Sequence, residues 1–204
     1  DLDLTRNFQD FSKPLPSNSA YDQLHSVILS ERWDDAAAAR RGEVFEAFRA
    51  KHGAMELQRA ISGGQYSHAD GVFYGGRRPT WSNQTFHAIL AKFLPKARHV
   101  AFIDFHTGLG PYGNGELICH AVPGTPEWDE LAGWYGEGLT SPEAGNSSSA
   151  KLTGYIRKAV VAGLPQAKVR ALTIEYGTFP VPVVLGALIA DNWLHQNGDL
   201  NSAL

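Results

Sequence analysis

Val100-Ala101-Phe102-Ile103-Asp104-Phe105-His106-Thr107-Gly108 is an apolar run broken by one acid and closed by an imidazole and turn residues. Val100–Phe105 is rich in β-branched and aromatic residues and holds no Pro or Gly, so it predicts a strand buried in a sheet. His106 then stands just past the end of that strand. Val169–Tyr176 repeats the pattern, with Glu175 near its end and Gly177 as its stop. Leu117–Val122 is a further strand candidate. Between and around these runs the apolar period lengthens to that of helices.

Tyr21–Leu29 reads as a short helix. A longer one runs from about Ala36 to Ile61, capped by Asp34 and Asp35 and stopped by Gly63-Gly64, with Gly53 as a possible break. Its apolar positions are Val44, Phe45, Phe48, Met55 and Leu57. Ser82 offers a cap to Asn83–Phe93. Ser147-Ser148-Ser149 precedes a helix over Ala150–Ala162, and Pro182–His195 reads as the last one. Asp1–Phe8 reads as extended. Strands separated by helices of ten or more residues describe an α/β domain with a mixed, largely parallel sheet flanked by helices. Residues 1–204 are read as one domain. In such sheets ligands bind beyond the carboxyl ends of the strands, where His106 and Glu175 fall.

Composition narrows the functional classes. At 43 % hydrophobic and 19 % charged, the 204 residues can bury a core. Eighteen basic against 21 acidic side chains give a net charge of −3, which argues against nucleic acid or an anionic membrane as partner. No apolar run approaches the ~20 residues of a membrane span. The single cysteine, Cys119, forbids an intrachain disulfide or a multi-cysteine zinc site, and a reducing, cytoplasmic compartment is the simpler expectation. The chain begins without an initiator Met, and Gly198–Leu204 come after the last helical pattern with no closing element. A piece of a longer protein, cut at both ends, is the expectation.

Four side chains carry chemistry in this reading. His106 is a candidate metal ligand or general base, against the plainer role of a hydrogen-bonded structural His. Asp104, two residues earlier, points to the same side of a strand and can hold the imidazole tautomer. Glu175, a carboxylate within an apolar strand, is a candidate general base or a strand-end ion pair. Arg6 can clamp a substrate carboxylate through paired hydrogen bonds, or lie at the surface.

Competing motifs fare worse. Gly108-Leu109-Gly110-Pro111-Tyr112-Gly113 matches G-x-G-x-x-G, but Pro111 and the Gly113-Asn114-Gly115-Glu116 stretch do not open a helix, so it is read as a loop around a site. Gly145-Asn146-Ser147-Ser148 reads as a loop and cap. Cys119 beside His120 is adjacency in sequence, Glu116 and His120 stand too far apart on a strand to share an ion, and Asp191 with His195 reads as a surface pair. No H-x-x-E occurs after any of the eight histidines.

Together these segments resemble the zinc carboxypeptidase superfamily, in a bacterial branch related to succinylglutamate desuccinylase and aspartoacylase. The residues that carry the resemblance are Asp3-Leu4-Thr5-Arg6-Asn7-Phe8, similar to that family's Asp-x-Asn-Arg-x-Phe, and Gly64-Gln65-Tyr66 with Gly71–Gly76 and Trp81-Ser82. Ile103–Gly113 and Thr173-Ile174-Glu175-Tyr176-Gly177-Thr178 complete the order. The resemblance implies that His106 is the third ligand of a Zn2+ ion and that Glu175 is the base that activates water and protonates the leaving amine. Arg6 would bind the substrate carboxylate, with Thr5 beside it where the family usually has Asn. The first two ligands, an H-x-x-E pair, and a carbonyl-polarising arginine would lie upstream of Asp1.

The expected function is therefore zinc-dependent hydrolysis of an amide or peptide bond in a small carboxylate-bearing substrate, with this chain alone inactive. A non-catalytic binding protein that keeps the fold without zinc is the rival, and a metal-independent hydrolase using Cys119 or a serine is a distant third. Tyr66, Tyr74, Tyr112, Tyr135 and Tyr155 are candidates for lining the cleft, with core packing as their default.

Overall fold

The strand Lys168–Gly177 is apolar on both faces, and that property organises everything built around it. In the computed structural model, which describes residues 2–198, it is the last of four strands. These are β1 (His99–Gly108), β2 (Gly115–Ile118), β3 (Leu139–Thr140) and β4 (Lys168–Gly177). Their order in the sheet is β1-β4-β2-β3. β1 runs parallel to β4 and β3 parallel to β2, while β2 and β4 are antiparallel. The sheet is thus mixed and mostly parallel, as the sequence predicts.

Among the described residues seven α-helices accompany the strands: α1 (Ser19–Ile28), α2 (Asp35–His52), α3 (Ala54–Ser62), α4 (Trp81–Phe93), α5 (Pro126–Tyr135), α6 (Ile156–Gly163) and α7 (Val181–Asn197). The chain divides into two compact units. The first comprises Asp1–Gln84, Leu152–Ile156 and Gly186–Leu204, and the second comprises Thr85–Lys151 and Arg157–Leu185.

In the second unit, alternation along β4 builds two cores. Val169 and Ala171 pack with Leu90 of α4, with Val160 of α6 and with Leu164 just after it, joined by Val100 and Phe102 of β1. Leu172 and Ile174 point the other way, into a cluster of Cys119, Leu131 and Leu139 completed by Trp128, Ala132 and Tyr135. Thr125 caps α5 by accepting the Trp128 N–H, and Pro126 occupies the first turn, where a missing N–H is harmless. Helix α5 and strand β3 carry no strong pattern in sequence and were not anticipated.

The first unit is held by buried amides. Asn7 is fully buried: its Nδ2 donates to the carbonyls of Gly75 (2.8 Å) and Arg78 (3.0 Å), and its Oδ1 accepts the Thr80 N–H at 2.9 Å. Asn18 accepts the Tyr21 N–H to cap α1 and donates to Ala60 and Gly64 carbonyls. Gln65, also fully buried, wraps the loop between α3 and α4 around its side chain.

Several expectations need correction. The predicted long helix is two, because Gly53 adopts φ +91° and resets the axis between α2 and α3. No residue of α2 is buried and Met55 is 53 % exposed, so the supposed apolar face is not a core face. Thr5–Asn7 form a 3₁₀ turn rather than an extended segment. Thr80, not Ser82, caps α4: its Oγ1 accepts the Asn83 N–H at 3.2 Å. The helix predicted from Ala150 starts at Ile156. β1 is an edge strand with Phe105 66 % exposed, where a buried strand was expected, and it extends through His106 to Gly108.

Candidate functional site

The parallel register of β1 on β4 places His106 directly beside Glu175 and Asp104 beside Thr173. Partners in register project from the same face of a sheet, so His106 and Glu175 share one face at the carboxyl ends of two parallel strands. The antiparallel register of β2 then sets Glu116 opposite Glu175 in the same row. One imidazole and two carboxylates from three strands thus line up across the sheet.

Local contacts fix each member. His106 Nε2 lies 2.9 Å from Asp104 Oδ2, and His106 Nδ1 lies 3.7 Å from Glu175 Oε2, longer than a hydrogen bond. Asp104 therefore sets the orientation of the ring and turns its other nitrogen toward Glu175. Glu175 is 7 % exposed, and its Oε1 accepts the Leu109 N–H at 3.0 Å. That donor comes from the glycine loop after β1. Gly113 N–H donates to the Gly177 carbonyl and Thr178 Oγ1 donates to the Gly108 carbonyl, which tie the loop to the end of β4. Gly110 (φ +101°) and Gly113 (φ +71°) supply backbone conformations that other residues adopt only under strain. The loop leads into β2 rather than a helix, as the reading of Pro111 and its neighbouring glycines expects.

Glu116 is taken up by its own cage. Burial alone would raise its carboxyl pKa, but hydrogen bonds from Ser148, Thr140 and Ser147 outweigh that and hold it below the usual carboxylate range. The Ser147-Ser148 pair thus receives a carboxylate instead of capping a helix. His120 is pushed down to about 4 by burial and by the nearby Arg157 guanidinium, so it is neutral at pH 7. Burial raises the Cys119 thiol and keeps it protonated, which leaves it a poor nucleophile.

Arg6 and Thr5 belong to the first unit. Arg6 is 8 % exposed, not a surface residue. Its Nη2 donates to the Ser62 carbonyl at 2.6 Å, its Nη1 pairs with Asp3 at 3.2 Å, and its guanidinium lies 4.9 Å from the Phe73 ring centroid. Tyr66 donates to the Arg6 carbonyl and accepts from Gln9, so it is a structural tyrosine. Tyr135 packs in a core, and Tyr112, in the glycine loop, is 84 % exposed. Asp191 and His195 pair at 3.8 Å, as expected.

The first unit also contains a constellation that sequence reading missed. His25, His68 and Asp70 offer ligand atoms that all lie within 4.8 Å of one another. The only sequence signal was the H-x-D spacing of His68-Ala69-Asp70; nothing along the chain links it to His25, 43 residues away.

An α/β sheet with a braced imidazole and a buried carboxylate paired at its carboxyl edge defines the class of site. The chain belongs to the family described as "Protein of unknown function (DUF2817)", whose model matches residues 1–203. No curated protein and no solved structure matches it.

Proposed function

We propose that this chain carries part of the active site of a zinc-dependent amide hydrolase of the carboxypeptidase type, acting on a small substrate with a carboxylate. The observation that supports this best is the register pairing of His106 with Glu175, with Asp104 behind the imidazole. A histidine held by a carboxylate through one nitrogen has the outer arrangement common to metal-ligating imidazoles, so the donor chemistry at His106 fits zinc. Bound zinc would supply Lewis-acid polarisation of a carbonyl and acidification of water.

The protein's own residues divide the remaining work. In this reading Glu175 Oε1 accepts the Leu109 N–H, and Oε2, on the His106 side, takes a proton from water and returns it to the leaving amine. Asp104 keeps His106 from rotating. The reading gives Arg6 and Thr5 the substrate carboxylate; because Arg6 already binds Asp3 and Ser62, that role requires Asp3 to yield. No H-x-x-E occurs in the 204 residues, so two ligands must come from sequence outside them.

The test is made on the product of the complete reading frame, with N-acyl amino acids and carboxyl-terminal peptides as substrates. Glu175→Gln should retain zinc and lower kcat by roughly 10²–10⁴-fold, and His106→Ala should lose one equivalent of zinc together with activity. Full activity in His106→Ala would refute the reading. The missing H-x-x-E favours the rival, a zinc-free binding protein on the same fold. A complete frame without that motif, together with carboxylate binding that Arg6→Ala abolishes, would establish it.

A further inference from the structure

We propose that His25, His68 and Asp70 form a binding site for a divalent transition-metal ion of the zinc type. This inference is independent of the hydrolase reading, because every residue it uses lies in the first unit and none is His106 or Glu175.

The backbone holds all three ligands in place. His25 is in the second half of α1. His68 and Asp70 lie in the loop wrapped around Gln65, whose Oε1 accepts the Ser67 and His68 N–H groups and whose Nε2 donates to the His68 carbonyl at 2.7 Å. The Asp70 carbonyl accepts Asn192 Nδ2 at 2.8 Å. A site assembled from such anchored segments needs little ordering when an ion arrives.

The side chains are already gathered. The His25 and His68 rings stack with centroids 3.8 Å apart, above Tyr21. His25 Nε2 is 3.5 Å from Asp70 Oδ1. Bonds of about 2.0–2.2 Å from zinc to nitrogen and oxygen put tetrahedral ligand atoms roughly 3.3–3.5 Å apart. One pair therefore stands at ligating separation, and closing the full set from 4.8 Å requires the His68 ring to turn out of its stack on His25.

A further contact points to a cation. Asp22, one turn before His25, lies 2.9 Å from His68 Nε2, which leaves His68 Nδ1 for an ion and supplies the outer carboxylate that metal-bound imidazoles characteristically have. Asp70 is half-exposed, which leaves a route from solvent. Two imidazoles and one carboxylate select zinc, cobalt, nickel or copper over magnesium or calcium.

The experiment uses the 204-residue chain after treatment with a chelator. Zinc chloride is titrated in competition with a chromophoric chelator at pH 7.5, and cobalt chloride is titrated separately for its visible absorption. The expected result is one equivalent bound, with affinity lowered at least tenfold in His25→Gln and in His68→Gln and unchanged in His106→Ala. Zinc should also raise the Tm of the wild-type chain and not that of the two variants. Metal-free circular dichroism shows whether each variant folds, and the Tm shift and cobalt spectrum of the wild-type chain stand even where one does not. Absence of binding tighter than about 100 µM would overturn the proposal, as would an equivalent that both His variants retain. An equivalent lost only in His106→Ala would also overturn it while favouring the hydrolase reading.

Discussion

Gly177→Ala tests how tightly the glycine loop is pressed against the end of β4. A Cβ built on Gly177 would stand 2.0 Å from the Pro111 carbonyl oxygen and 2.4 Å from the Gly110 carbonyl carbon, both backbone atoms. Ordinary contact begins near 3.4 Å, so the loop would have to retreat by roughly 1.4 Å, with no flexible side chain to absorb the movement. Overpacking of this kind costs about 1–3 kcal/mol. The retreat also strains the Gly113-to-Gly177 and Gly177-to-Asn114 hydrogen bonds and the Leu109 contact to Glu175, each worth about 1 kcal/mol. The total loss should reach about 2–4 kcal/mol, with Glu175 losing its backbone donor. Gly133→Ala is the control, since nothing lies within 4 Å of a Cβ there and the residue is inside α5. Alanine in a helix should raise stability by about 0.5–1 kcal/mol. Urea unfolding monitored by circular dichroism and tryptophan fluorescence measures both. If Gly177→Ala unfolds within about 0.5 kcal/mol of the wild type, the loop is not packed as described and its hold on Glu175 is not real.

Buried polar groups give two more expected outcomes. Asn7→Ala removes four side-chain hydrogen bonds linking Gly75, Arg78 and Thr80, and should destabilise the protein by about 3 kcal/mol or more in urea unfolding; a change below about 1 kcal/mol would contradict that role. His120 titrates near 4 in the folded chain and near 6.5 when unfolded, so the unfolded state takes up the proton first. Its contribution is fully present above pH 6.5 and is lost as pH falls toward 4, by up to about 3 kcal/mol. His120→Gln should flatten the pH dependence of stability in that window, and an unchanged slope would refute the assignment.

The strand ends were legible because apolar runs closed by Gly leave few alternatives, and the pairing of Asp104 with His106 came directly from the two-residue period of a strand. The pairing of His106 with Glu175 was legible only as a coincidence of strand ends, since register is set by partners 69 positions away. The helices show where one-dimensional pattern fails. Val44, Phe45 and Phe48 recur at helical spacing, yet α2 buries none of its residues, because period says that a face exists and not that anything covers it. Ser147 and Ser148 looked like a cap because hydroxyls suit one, and the claim of Glu116 on them depends on a strand more than thirty residues earlier. The same blindness hid His25 from His68 and Asp70, which only the fold of the first unit brings together.

The discontinuity of the first unit bears on the order in which the chain acquires its structure. Trp193 Nε1 donates to the Ser30 carbonyl and Asn192 Nδ2 to the Asp70 carbonyl, across 163 and 122 positions. During synthesis from the amino end these partners leave the ribosome only after all of the second unit has emerged. The second unit, interrupted by just Leu152–Ile156, has its whole sheet available first. The loop that carries His68 and Asp70 therefore gains its Asn192 anchor only after the second unit has emerged, and a nascent chain stalled before Asn192 would present those side chains on a segment lacking it.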